Sequence, residues 1–474
     1  MFGSLLGIFM SLAFAVSTTT DPFADLSPGE IKETIRIIRD SKKLSPDIRF
    51  PVIRRQEPPK KDWLGHRTAN FRQAYAAVFD YQKSLMTEVI VDLNSGKLVS
   101  TKDLPGIKPP VLVEEYERAR KLVRIDLRWQ KAMRDRGVQN LEDVWIDIWA
   151  PGLIRPEEKA PGQRLLRCLS YMKGKGKNFY SRPIEGVVVT VDLSQNKVTS
   201  VWDMEKAPIA SGIREIEGKS GADLLKPLTV IQKKGSSVQM SGQDVTWYRW
   251  KFHWSMDPMQ GLQLHHVRFD DKGVERTILY KISLAEMFVP YGAPEKSWSF
   301  RNAFDVGEYG VGKTLHPLEK GKDVPDNAIL LDVHVPDDIG KDVLTIPGAA
   351  LFERDMGVSW KHRDSETGEQ SSDQARQLVA TFMTTVGNYD YGVTYIFHMD
   401  GTLQVEAQLT GIMLAKGTEL VENSCLKSCQ PLAEKNILAP FHQHFFNFRM
   451  DFDVDGINNN AVEMNVKAVP MGKA

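Results

Sequence analysis

Three short strings carry the residues best suited to chemistry. Tyr389 stands in Thr385-Val386-Gly387-Asn388-Tyr389-Asp390-Tyr391. Asp305 stands in Phe304-Asp305-Val306-Gly307-Glu308-Tyr309-Gly310-Val311-Gly312, with Tyr291 14 residues upstream of it. His442 and His444 flank a single residue and are followed by Phe445 and Phe446. Imidazoles at i and i+2 of an extended strand point to one face, which is what a metal ion requires of them. A carboxylate such as Asp305 serves as a base when burial raises its pKa toward neutrality. Taken singly, each string has an ordinary reading: a tyrosine packing a sheet edge, an aspartate in a glycine turn, a pair of surface or core histidines.

Taken together and in this order, the strings resemble those of the copper-containing amine oxidases, from about residue 25 to the last residue. The resemblance implies that Tyr389 is the precursor of topaquinone and that Asp305 is the base that takes the α-proton of a primary amine. It implies further that Tyr291 hydrogen-bonds a quinone oxygen, that Asn388 restrains the ring from its own side of the chain, and that His442 and His444 bind copper. Asp451, the Phe452 carbonyl and Asp453 are similar to part of a peripheral calcium-like site, since alternate carboxylates with a backbone oxygen suit a hard cation. The implied reaction converts a small primary amine, oxygen and water to an aldehyde, ammonia and hydrogen peroxide, in a homodimer. Two departures stand out. Ala303 occupies a position where many relatives carry a Tyr or Phe gate, so the channel is wider or gated by another group. The stretch Gly312 to Val386, where many relatives hold a disulfide, contains no cysteine.

The family's copper has three histidine ligands. Only 30 residues follow His444, none of them histidine, and His265, His266 and His398 match no ligand position. The expectation is a fragment or alternative form of a longer enzyme, or a protein that has lost its metal site; by itself this chain then makes little or no topaquinone. The alternative function is a non-catalytic β-sandwich protein descended from such an oxidase. A zinc module is the third reading, because Cys425-x3-Cys429 lies 12 residues before His442, but a finger helix needs three to five residues between its histidines.

The surrounding elements follow from local pattern. Ser27-Pro28-Gly29-Glu30 opens a helix over residues 26–41 as an N-cap with proline at the first position. Strands are expected near 48–56, 72–82 and 87–93, and a charged helical segment over 112–135 precedes strands at 143–149, 164–172 and 186–192. Val91-Asp92-Leu93 with Lys97 and Ser100 recurs 100 residues later as Val191-Asp192-Leu193 with Lys197 and Ser200, which suggests two related small domains. From about Leu225 short strands dominate, and an Asp400-Gly401 type I′ turn joins two alternating runs in a hairpin. The fold class is α+β: two small related α+β domains at 22–106 and 110–215, then a large antiparallel β-sandwich at 225–474, incomplete at its C-terminus.

Lys plus Arg equals Asp plus Glu at 61 each, so no overall field favours nucleic acid. Residues 5–16 and Ala13-Phe14-Ala15 read as a signal peptide within residues 1–20, hence a secreted protein, with intracellular residence as the alternative. No later run is long enough to span a bilayer.

Overall fold

The structure is a computed structural model. It describes residues 21–467 except 42–43, 67, 69, 153–161, 174–177, 212–224, 227, 421 and 423–429. The signal-peptide reading and the Cys425/Cys429 spacing lie outside the described residues. The chain divides into two compact units, Met1–Pro109 with His334–Leu344, and Pro110–Val333 with Thr345–Ala474.

In the first unit, helix α1 (Pro28–Asp40) begins where expected: the Ser27 hydroxyl accepts from the Glu30 N–H, and Glu30 Oε2 accepts from the Ser27 N–H at 2.8 Å. Strand β1 (Ile48–Gln56), the short helix α2 (Lys60–Leu64), β2 (Gln73–Asp80), β3 (Leu85–Asp92) and β4 (Lys97–Leu104) follow, the strands forming a four-stranded antiparallel sheet in chain order. Ile31, Ile35 and Ile38 of α1 pack on Phe50, Val78 and Val89 of that sheet.

The second unit begins with the same construction. Helices α3 (Val113–Ile125) and α4 (Leu127–Arg134) precede a four-stranded antiparallel sheet of β5 (Val144–Trp149), β6 (Leu165–Met172), β7 (Pro183–Asp192) and β8 (Lys197–Asp203). The charged segment expected as one helix is two, because Asp126 is extended and its carboxylate accepts from the N–H groups of Arg128 and Trp129, capping α4. The hairpins β3–β4 and β7–β8 share their register: Asp92 pairs with Lys97 and Asp192 with Lys197, each with a bulge before the preceding valine. The repeat extends to the interior. Arg72 clasps Glu30 through two hydrogen bonds at 2.6 and 2.7 Å, and Arg164 clasps Glu115 at 2.8 and 2.6 Å. In both units the glutamate is the third residue of the first helix, and the arginine carbonyl accepts from the leucine that follows the hairpin aspartate. Both pairs are almost fully buried, so removing one partner strands a charge in the core. Glu115→Ala is expected to lower the unfolding free energy of the second unit by about 3–5 kcal/mol, read as the shift in a denaturant midpoint.

The remainder of the second unit is built from two further sheets. One contains β9 (Gln239–Ser241), β10 (Asp244–Trp247), β11 (Trp250–Asp257), β12 (Gly261–Asp271), β13 (Val274–Pro290) and β14 (Asn302–Phe304). After the short helix α5 (Asp305–Tyr309), the other contains β15 (Ile329–Pro336), β16 (Val343–Arg363), β17 (Gln370–Val386), β18 (Tyr389–His398) and β19 (Leu403–Gly411). A small sheet of β20 (Lys416–Gly417), β21 (Leu432–Glu434) and β22 (Ile437–Leu438) leads to β23 (Phe445–Phe452), which pairs with β13. The two large sheets meet through Phe252 stacked on Phe397 at 4.4 Å, the Trp250 indole N–H donating to the His398 carbonyl, and the Tyr395 hydroxyl donating to the Leu262 carbonyl. Gly261 makes this approach possible, since a Cβ there would lie 2.2 Å from the Phe382 ring. Not all these strands are short, as the composition suggested. β13, β16 and β17 run for 17, 21 and 17 residues, because long antiparallel pairing continues wherever a partner strand continues, whatever the local turn residues. Among the described residues no helix is long and apolar enough to cross a membrane.

Candidate active site

Strand β13 gathers the three strings. Tyr291 follows its last residue, β14 pairs with its end at Phe288–Phe304 and so delivers Asp305, and β23 pairs along it so that His442 bridges to Tyr291. Tyr389 comes from the facing sheet as the first residue of β18. The β17–β18 connection is the two-residue turn Gly387-Asn388 between the paired Val386 and Tyr389, with Gly387 at φ 60°. A glycine in the left-handed region at the first turn position is the type II′ requirement. The expected type I′ turn at Asp400-Gly401 is instead part of a four-residue loop, in which only Gly401 has positive φ and Asp400 accepts from the Thr402 N–H.

The Tyr389 hydroxyl lies 2.8 Å from His442 Nε2. His442 Nδ1 lies 2.9 Å from the Pro440 carbonyl, which can only accept, so Nδ1 carries the proton and Nε2 presents its lone pair. Tyr391, two residues on, places its hydroxyl 3.0 Å from His444 Nδ1 and 3.3 Å from Asp305 Oδ2. An ionised Asp305 only accepts; Tyr391 then donates to it and accepts from His444 Nδ1–H, leaving His444 Nε2 free as well. The two imidazoles, 5.0 Å apart, thus face the same tyrosines, as the i, i+2 spacing predicts, although they precede β23 rather than lie within it. Burial and the neighbouring His442 hold His444 down to about 4, so its ring is neutral and able to ligate at physiological pH.

Tyr291 stacks on His442 at 4.8 Å, and its hydroxyl contacts that of Tyr389. Asn388 is buried and clamps the turn to the next segment: its side chain donates to the Ile412 carbonyl at 2.6 Å and its carbonyl accepts from the Ile412 N–H at 2.7 Å. Asp305 is 4% exposed, and burial, reinforced by the charge of Glu308, pushes its carboxyl up to about 8. Burial likewise holds the Tyr389 phenol above its ordinary value.

Tyr291, Asp305, Asn388, Tyr389 and Tyr391 line one cavity of about 270 Å³. Ala303 lines it too and leaves that wall without an aromatic gate, while the adjoining Phe304 is exposed. Sequence reasoning missed the opposite wall. Trp145, Asp147 and Trp149 alternate along β5 and face the cavity, with Tyr116 and Arg120 of α3 beside them. The alternation in Val144-Trp145-Ile146-Asp147-Ile148-Trp149 was a readable signal, since it sets one aromatic and acidic face against an apolar one. Burial lifts Asp147 to about 6 although Trp149 Nε1 donates to it at 2.6 Å.

The donor set here is two imidazole nitrogens and a phenol, a combination that suits copper. Among the described residues no third imidazole, thiol or carboxylate lies within ligand reach of both histidines. Asp451 and Phe452 end β23 and Asp453 follows it, with the Phe452 carbonyl accepting from the Asn459 side chain.

Residues 238–474 match the family profile described as copper amine oxidase, enzyme domain, and residues 114–218 that of the copper amine oxidase N3 domain. The chain is 31% identical over 470 residues to a primary amine oxidase of Klebsiella aerogenes, covering 96% of this chain and 62% of that protein. It is 32% identical over 459 residues to a copper methylamine oxidase of Arthrobacter sp. (strain P1), covering 96% and 70%. The chain thus spans somewhat less than two thirds of the first relative's length and slightly more of the second's. Its fold is similar to that of a copper-containing benzylamine oxidase from Hansenula polymorpha, with a TM-score of 0.79 and 24% identity over 92% of this chain and 71% of that one.

Proposed function

The chain belongs to the copper amine oxidase family, and on that premise we propose that it converts a primary amine, oxygen and water to an aldehyde, ammonia and hydrogen peroxide, with Tyr389 as the topaquinone precursor. The observation that carries this reading is the Tyr389 hydroxyl held 2.8 Å from His442 Nε2, beside a cavity that Tyr389 lines together with the buried Asp305. His442 and His444 would hold the copper through Nε2. Copper held there would supply, with dioxygen as oxidant, the chemistry that converts Tyr389 to topaquinone, and the quinone would supply a carbonyl electrophile and an electron sink for the amine.

The chain's own groups do the rest. Asp305 removes the α-proton, and its proton affinity near neutrality lets it accept and later return that proton. The Tyr391 hydroxyl steadies the ionised carboxylate from β18. Tyr291 holds the ring of residue 389 by its hydroxyl and its stacking on His442, and Asn388 holds it by clamping the turn that carries it. The aromatic walls from α3 and β5 exclude water, which preserves the base's proton affinity.

The same reading carries a homodimer, a large β-sandwich catalytic domain after two small related α+β domains, and secretion. The non-catalytic alternative finds no support among the relatives, which carry oxidase names. The functional test is peroxide and aldehyde release from simple primary amines after aerobic loading with Cu(II); release of neither under any loading condition would refute it. His442→Ala is expected to weaken Cu(II) binding by at least roughly tenfold, measured by calorimetric titration, since losing a ligand costs no less than losing the partner that orients one.

A further inference from the structure

The two histidines differ in what holds their outer nitrogen. His442 Nδ1 faces the Pro440 carbonyl at 2.9 Å, which only accepts, so the proton stays on Nδ1. His444 Nδ1 faces the Tyr391 hydroxyl at 3.0 Å, and a hydroxyl both donates and accepts. The same hydroxyl lies 3.3 Å from Asp305 Oδ2. Tyr391 is 1% exposed and Asp305 4%, so two of the three members of this chain are shut away from bulk water.

One hydroxyl proton serves two neighbours, which leaves the chain two self-consistent arrangements. With Asp305 ionised, Tyr391 donates to the carboxylate and accepts from His444 Nδ1–H, and Nε2 bears a lone pair. With Asp305 protonated, the acid donates to Tyr391 and Tyr391 donates to Nδ1. The imidazole proton then sits on Nε2, where it blocks ligation. His444 and Tyr391 are neutral in both arrangements, and only Asp305 changes charge.

We propose that Tyr391 is a positioning residue that ties the charge of Asp305 to the nitrogen that His444 presents, so that a divalent cation at His444 Nε2 favours the carboxylate form of the base. In the change the carboxyl proton passes to the tyrosine oxygen, the tyrosine proton passes to Nδ1, and the Nε2 proton leaves to solvent as its lone pair is taken up. Burial pushes the metal-free Asp305 up to about 8, which makes the protonated arrangement the resting one at neutral pH. The other titratable groups facing Asp305 are Glu286 from β13, Glu308 and Tyr309 from α5, and Tyr291 beyond β13. Tyr391 is the one bonded to both the acid and His444. The arrangement keeps a neutral acid in the apolar site until a metal ion is present and then readies it to take a proton.

The inference rests on His444 as a metal ligand and Asp305 as the base. Its test uses Zn(II), which leaves Tyr389 unoxidised. The Asp305 midpoint is followed by infrared difference spectroscopy of ¹³C-aspartate-labelled protein, with Asp305→Asn providing the assignment. Zinc is expected to lower that midpoint by roughly one pH unit, equivalent to about tenfold tighter zinc binding by the ionised form. In Tyr391→Phe, which keeps the ring against Phe446, most of that fall should vanish. An equal fall in the folded variant, or none in wild type, overturns the proposal. A second measurement needs no Tyr391 variant: ¹⁵N-histidine resonances of metal-free wild type should show the His444 proton moving from Nε2 to Nδ1 as Asp305 ionises. A tautomer that does not change across that interval overturns it equally. Turnover unaffected by Asp305→Asn would remove the base assignment and leave the coupling standing, whereas zinc affinity undiminished in His444→Ala would remove the ligand reading and the proposal with it.

Discussion

Replacing Asp305 by Asn is expected to lower kcat/KM for a primary amine by roughly 10²–10⁴-fold, the usual contribution of a positioned general base. Asparagine preserves the shape and can still accept from the Tyr391 hydroxyl, so the cavity and the tyrosine at 389 keep their places, and the loss falls on proton removal. The wild-type profile should rise with pH toward the value of about 8 at which Asp305 ionises, and that limb should be missing from the residual rate of the variant. Stability moves the other way. The folded-state pKa is raised above 3.8, so the fold favours the neutral acid: the associated stability is fully present below 3.8 and is lost as pH climbs to about 8. The variant carries no such loss. Its melting temperature should match that of wild type in acid and exceed it at alkaline pH; a variant less stable at pH 8 than at pH 4, relative to wild type, would contradict the burial argument.

Tyr389→Phe is expected to abolish both quinone absorbance and turnover, because it removes the phenol that becomes the cofactor and nothing else in the cavity holds an equivalent relation to His442. The ring is retained, so its contacts with Tyr391 and His444 persist. The hydroxyl's bond to His442, a weaker one from the Leu414 N–H and its contact with the Tyr291 hydroxyl are lost. The cost to stability should be about 1 kcal/mol. Complete loss of activity in a protein that melts almost normally distinguishes a cofactor precursor from a structural tyrosine. Quinone formation in the phenylalanine variant would place the precursor elsewhere.

The local features of the fold were legible and the long-range ones were not. Ser27 and Glu30 announce a capping box, the Asp92 and Asp192 hairpins announce a repeat, and the alternation in Val393, Tyr395 and Phe397 announces a buried strand face, because each rests on groups a few residues apart. The clasp of Arg72 on Glu30 spans 42 residues and that of Arg164 on Glu115 spans 49. No local pattern marks those four residues as buried, although they are what makes the two units alike. The break at Asp126 and the Gly387-Asn388 turn had local signals, an N-cap aspartate and a left-handed glycine, that a stronger neighbouring pattern obscured. At the site, three strings and the spacing of Tyr291 pointed to Tyr389, Asp305, Tyr291, Asn388, His442 and His444, which the structure brings together. Periodicity alone did not reveal that β5 closes the cavity with Asp147 between two tryptophans, since that placement depends on how one sheet packs against another.

The central claim concerns Tyr389, and its most direct measurement is the mass of the peptide bearing that residue after incubation of the protein with Cu(II) in air, with and without added imidazole. Two converging imidazoles hold copper less firmly than three, so the account predicts slow modification with copper alone and faster modification, confined to Tyr389, when free imidazole supplies a third nitrogen. Copper bound at His442 and His444 with Tyr389 unchanged under both conditions would contradict it, leaving Tyr389 an ordinary tyrosine beside a metal site.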